Sequence, residues 1–172
     1  MANTDLPMGF SPKGVLLRQN PYSVDAATGT AVFINDIVMA EADGACAPAA
    51  AGNAATIGSA MNYIAVSTAT TTSNPLMISD HPDQLYVAQD DGAGSPSTAF
   101  LFSLFDHVAG TGSATTFLSG HEIGAASKEE ATGAFVILDA VNREDNDPDS
   151  DNADWVCQLN AGEGLLTVAA GI

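Results

Sequence analysis

The sequence predicts an all-β protein: a small β-barrel or β-sandwich with an extended N-terminal arm and little helix. Three observations predict it. Short apolar or β-branched runs recur, each closed by Gly, Pro, Asn or Asp. No long amphipathic helical pattern interrupts them. The opening stretch carries Pro7, Pro12 and Pro21 with Gly9 and Gly14, which rules out regular helix there. About six short strands with turns between them close most economically as one barrel or one sandwich. At 172 residues the chain is long enough for one domain, and a domain of that size buries roughly 70% of its unfolded surface without needing metals or disulfides.

The elements follow in order. Residues 1–21 read as an arm and residues 22–172 as the β domain. Leu6, Met8, Phe10, Val15, Leu16 and Leu17 make the arm greasy, so it needs a surface to cover it. That surface is either its own domain or another molecule. Thr30 to Ala40 (TAVFINDIVMA) reads as strand broken at Asn35-Asp36. Ala45 to Thr56 (ACAPAAAGNAAT) reads as loop, because Pro48 and Gly52 argue against helix. Ile57 to Val66 resumes a strand, and Thr68 to Pro75 (TATTTSNP) reads as loop. Gln84 to Gly92 (QLYVAQDDG) is a strand ending in an Asp-Gly turn. Thr98 to Gly110 is ambiguous between strand and short helix, with its aromatics favouring strand. Ser127 to Ala131 (SKEEA) has the composition of a single helical turn. Ala131 to Val141 is apolar on both faces and reads as a central strand. In Asp154 to Asn160 the residues Trp155, Cys157 and Leu159 share one face.

Charge excludes some partners. The chain has 21 acidic and 4 basic residues, for a net charge of −17. Such a field repels polyphosphate and anionic lipid, so neither nucleic acid nor a membrane is expected as a direct partner. The arm departs from this trend: with Lys13 and Arg18 against Asp5 it is +1, leaving −18 for the remaining 151 residues. The start MANTDLPMGF lacks a basic n-region and an apolar h-region, so no secretory signal is read, and no apolar run is long enough for a span. Cys46 and Cys157 lie far apart without a C-x-x-C, which excludes the usual zinc patterns. They read as buried thiols, with a disulfide left open.

The stretch that looks most like chemistry is REDNDPDSDNADW, from Arg143 to Trp155. Asp145, Asp147, Asp149 and Asp151 fall at alternate positions, and oxygen ligands at that spacing suit Ca²⁺. The rest departs from an EF-hand: no glycine stands at the sixth position, Val156 replaces the bidentate Glu, and strands flank it. A solvated acidic hairpin loop is the default reading. No catalytic motif is present: there is no G-x-S-x-G, H-E-x-x-H or phosphate loop. His81, His107 and His121 read as surface or internally satisfied residues, and no enzymatic role is expected.

The order of these pieces resembles a family of tailed-bacteriophage capsid decoration (cement) proteins. MANTDLPMGFSPKG is similar to that family's opening. NPYSV, NDIVMAEADG, QLYVAQDDG, SGHEIGAASKEEATGAFVILDAV and DNADWVCQLN follow in the order of its strands. About two-thirds of the chain is covered in pieces. ACAPAAAGNAAT, TATTTSNP and the closing AGEGLLTVAAGI depart from the pattern. The resemblance implies a structural virion protein on the outer capsid surface, assembled in the host cytoplasm, often as a homotrimer. Its partner would be the major capsid protein, whose neighbouring subunits it braces. Within that frame Leu6, Met8, Phe10, Lys13 and Arg18 are the candidate capsid-contact residues. The alternative is an acidic, calcium-dependent β module for adhesion or carbohydrate binding.

Overall fold

The computed structural model describes residues 3–24, 29–52, 56–65, 71–94, 97–128 and 133–160. The architecture is all-β, as expected, and combines a closed barrel with an open sheet.

The barrel is formed by β2 (Gln19–Val24), β3 (Ile37–Ala40), β4 (Cys46–Pro48), β5 (Thr56–Ala60) and β6 (Thr71–Ser79), in the order β2-β4-β3-β5-β6. All its pairings are antiparallel except β2 with β4, which meet at Val24 and Cys46. Val24, Val38, Cys46, Leu76 and Ile78 fill its interior. Closure leaves few open edges, which suits short strands that could not stand alone.

The sheet has the order β1-β7-β12-β11-β8, from β1 (Ser11–Pro12), β7 (Leu85–Gln89), β8 (Leu104–Phe105), β11 (Phe135–Ala140) and β12 (Asp154–Leu159). As expected, β11 and β12 form an antiparallel hairpin, with Ile137 opposite Cys157 and the acidic run as its connection. Trp155, Cys157 and Leu159 enter one core together with Tyr86, Phe105 and Phe135. Asp90, fully buried just after β7, fixes the far end of that core. Its carboxylate accepts the indole N–H of Trp155 at 2.8 Å and the backbone N–H groups of Gly92, Asn152 and Ala153. A small ribbon, β9 (His107–Val108) with β10 (Glu122–Ile123), completes the fold.

Several expectations need correction. Cys46–Pro48, read as loop, is a barrel strand: its small residues acquire strand geometry from pairing with β3, not from propensity. Residues 71–75, also read as loop, open the nine-residue β6. Asn74-Pro75 is tolerated there because the ladder with β2 shifts register between Tyr22 and Val24. The Thr98–Gly110 segment resolves its ambiguity both ways, with a 3-10 turn at Thr98–Phe100 followed by two two-residue strands. A 3-10 turn stands at Ala125–Ser127, and residues 129–131 of the helical turn expected at Ser127–Ala131 lie outside the described residues. Residues 53–55, 66–70, 129–132 and 161–172, which complete several of these expectations, lie outside the described residues.

The arm is built into this architecture. The expected boundary after residue 21 falls inside β2. Pro12 and Pro21 exclude helix but sit comfortably in strand. β1 is an edge strand, and β2 pairs with β4 only at Val24, so neither proline removes a needed ladder donor.

Candidate functional site

The leader is fastened at four successive points. The Asn3 amide donates from Nδ2 to the carbonyls of Asp147 (2.9 Å), Ser150 (3.2 Å) and Asp151 (3.0 Å), and its Oδ1 accepts the N–H of Asp147 at 2.8 Å. Gln89 then brackets the next turn, accepting the N–H of Leu6 and donating to the carbonyl of Thr4. At Gly9 the backbone turns left-handed, with φ +72°, and a Cβ would lie 2.4 Å from the Asn35 carbonyl, so only glycine fits. Phe10 follows and is fully buried. Its N–H donates to the Asn35 carbonyl, its carbonyl accepts the Ser59 hydroxyl from the barrel, and its ring stacks on Phe135 of the sheet at 4.4 Å. Phe10 therefore staples barrel to sheet.

Beyond β1 the chain leaves the surface as a short loop, residues 13–18. Gln84, itself 1% exposed, closes the base of that loop. Its Oε1 accepts the N–H of Leu17 at 2.9 Å, while its Nε2 donates to the carbonyls of Lys13 and Leu85. Arg18 ends the loop by donating from Nε to Asp80 Oδ1 at 2.7 Å and from a terminal nitrogen to the Asp80 carbonyl.

The five residues expected at a capsid contact therefore part company. Leu6 and Met8 are exposed, at 66% and 44%. Lys13 is exposed and makes no ion pair among the described residues. Phe10 is withdrawn into the core, so the expectation that it touches a partner is corrected: its ring has found the surface it needs within its own chain. Arg18 is half-exposed but its charge is spent on Asp80. Burial raises the Asp80 carboxyl, yet hydrogen bonds from Tyr22, Arg18 and Asn20 outweigh it and hold that group below its ordinary value. In place of Phe10 and Arg18 the surface shows Val15 (78%), Leu16 and Leu17 (50%). The run of three aliphatics after Gly14 was the sequence signal for this site.

The acidic run does not form a calcium cage. Among the described residues no three acidic, histidine or cysteine side chains converge on one point. Asp145 pairs with Arg143; Asp147 accepts the N–H of Asp149 and the hydroxyl of Ser150; Asp149 accepts the N–H of Thr98. With Asp151 exposed on the same loop, the four residues proposed as ligands are turned to local donors or to solvent. Asn146 closes the hairpin, bonding Val141 and Asp154.

A buried cluster escaped the sequence reading. His107 and His121 stack across the β9–β10 ribbon with ring centroids 5.5 Å apart, and Asp36 Oδ1 lies 3.6 Å from His121 Nε2. Burial pushes both imidazoles down to about 4, the neighbouring His121 adding to the effect on His107, and burial pushes Asp36 up to about 6. Asp36 and His121 form part of the wall of a cavity of about 280 Å³ beside Phe33, Pro48 and Gly112. The hydrogen bonds of the two rings run to the backbone, while Asp36 Oδ1 and His107 Nδ1 are buried without a hydrogen-bond partner. His121 Nδ1 accepts the N–H of Ile37, which leaves the proton of the neutral ring on Nε2, facing Asp36. His121 has no lone pair left for a substrate. The opposite ring bonds through Nε2 to the Ala49 carbonyl. The pair docks the ribbon on the barrel through two neutral rings.

Compared with known proteins, the chain matches no family model, no curated protein and no solved structure.

Proposed function

We propose that this chain is a structural virion protein that binds the outer surface of a bacteriophage capsid and stabilises it by bridging neighbouring major capsid subunits. One observation carries the reading. Of seven large apolar side chains exposed among the described residues, five — Leu6, Met8, Val15, Leu16 and Leu17 — come from the leader, and the leader is held in place by the body. Apolar surface gathered in one segment of an otherwise acidic molecule marks a contact for another protein. A net charge of −17 suits the outside of a head, away from packed DNA. As a homotrimer the protein would present three leaders, and each bound leader would raise the effective concentration of the next. Single weak contacts would then release slowly.

The alternative, an acidic calcium-dependent β module for adhesion or carbohydrate binding, is less favoured, because among the described residues no three acidic, histidine or cysteine side chains group to hold a cation. The test is co-sedimentation of purified protein with undecorated heads assembled from the major capsid protein of the same phage. Saturable binding supports the reading, and its absence refutes it. Removing residues 1–18 is a poor probe, because that deletion takes Phe10 out of the core.

A further inference from the structure

Resting on the capsid reading, we propose that residues 13–17 form a pre-organised anchor. The aliphatic tip inserts into an apolar cleft of a capsid subunit, and Lys13 meets a carboxylate at the mouth of that cleft. The rest of the leader serves to hold this loop in place.

The first ground is presentation. Three consecutive aliphatic side chains, Val15, Leu16 and Leu17, stand in solvent on a loop whose base is tied on both sides by one buried side chain, Gln84. Gly14 makes the turn at φ +75°, where a Cβ would meet no other atom, so the glycine is required by the backbone conformation and not by packing. A loop tied this way loses little freedom when it docks, which lowers the entropic cost of binding. Free aliphatic surface on a tied loop is unfavourable in the isolated molecule, and it finds its reason in a receptor.

The second ground is charge. The chain has four basic residues. Arg18 is held by Asp80, Arg143 by Asp145 and Asp154, and Lys128 by the Ala99 carbonyl with its ammonium 5.9 Å from the Phe100 ring centroid. Lys13 begins the aliphatic loop; its backbone bonds Gln84 and Leu85, and its ammonium alone of the four basic groups makes no hydrogen bond or ion pair among the described residues. An unspent cation beside an apolar tip fits an apolar cleft rimmed by a carboxylate.

An anionic lipid surface fits less well, because the −17 body would repel it. A second copy is separated by experiment, since this chain itself carries a cavity of about 530 Å³ lined by Leu6 and Met8 together with Asp145 and Asp154.

The test measures binding of three variants to the same undecorated heads, with analytical ultracentrifugation of each protein alone. Val15→Ser/Leu16→Ser changes only exposed side chains, so it should melt like the parent yet bind heads at least about tenfold more weakly. Lys13→Glu should weaken binding by several-fold and lessen its salt dependence. Gln84→Ala should weaken binding while leaving the tip intact, as expected of a positioning residue. If the serine variant coats heads as the parent does, the anchor is overturned while the capsid reading stands. If that variant instead disperses an oligomer of the free protein and still coats heads, the tip serves a second copy and the proposal is wrong. If the parent itself fails to coat heads, the capsid reading falls, and the anchor with it.

Discussion

Replacing Phe10 by alanine separates a leader that is part of the fold from one that merely lies on it. Phe10 is 0% exposed, stacks on Phe135 at 4.4 Å and bonds Asn35 and Ser59 through its backbone. The substitution keeps those backbone bonds and removes the ring. Truncating a buried Phe costs about 3–5 kcal/mol, the transfer of the ring plus the void it leaves. The expected figure is at the upper end, because the void lies between a closed barrel and a hydrogen-bonded sheet, which collapse poorly into it. For a domain of this size, each kcal/mol lowers the melting temperature by about 2–4 °C, so a fall of about 10–20 °C is expected. Urea unfolding followed by Trp155 fluorescence measures it directly, since Trp155 lies in the same core. Leu6→Ala is the control: at 66% exposure it should change stability by less than about 0.5 kcal/mol. A loss below about 1 kcal/mol for Phe10→Ala would show that the leader is a free arm and would refute the staple.

Three further outcomes follow from the same contacts. Asn3→Ala should destabilise by about 1–2 kcal/mol, and Asn3→Asp by more, because a carboxylate cannot donate to the carbonyls of Asp147, Ser150 and Asp151 and adds charge to an acidic loop; urea midpoints check both. Asp80→Ala should cost about 1–3 kcal/mol at neutral pH by leaving Asn20 and Tyr22 without their acceptor, while water takes over the exposed Arg18. Since the folded Asp80 carboxyl sits below its ordinary 3.8, that difference should be full above this pH and fade below it.

His107 is held near 4 against an ordinary 6.5, so between those values the unfolded chain binds a proton that the folded one refuses, and stability falls as pH falls. At about 1.4 kcal/mol per pH unit of displacement, the loss at this imidazole reaches about 3 kcal/mol by pH 4. Asp36, raised to about 6, and Glu122, raised to about 7 by burial and by Asp5, Asp91 and Asp90, act in the opposite sense. The clean readout is therefore a difference. His107→Gln, which keeps a donor for Ala49, should gain on the parent steadily from pH 6.5 to 4. A constant gap across that range would contradict the assignment.

Much of the fold was legible where local chemistry and final pairing agree. The β11–β12 hairpin, the Asp-Gly turn after β7 and the break at Asn35-Asp36 all announce themselves in adjacent residues, and Asn35 does adopt a left-handed φ of 71°. The strands at Cys46–Pro48 and at the start of β6 did not: β4 pairs with the neighbouring β3 but is built of small residues and a proline, and β6 opens on turn-like residues whose partner β2 lies far away in sequence. The leader shows the same limit. Its greasiness was plain, but nothing local distinguishes Phe10, which fills the core, from Leu6, which does not. That choice is made by Phe135, more than a hundred residues on. The stacked histidines were hidden for the same reason, since only the β9–β10 pairing, with His107 opposite Ile123, brings the ring of His121 onto that of His107. At the acidic run the spacing suggested a cation, and the fold turned the oxygens toward nearby backbone donors.

Electron cryo-microscopy of heads mixed with the purified protein tests the central claim most directly. Density is expected for the intact body on the outer surface, with Ser11–Pro12 still paired with β7 and Val15–Leu17 buried in an apolar cleft of a capsid subunit beside an acidic side chain. Density showing the leader pulled away from its own sheet, or the body held to the head by another face with residues 13–17 in solvent, would contradict it.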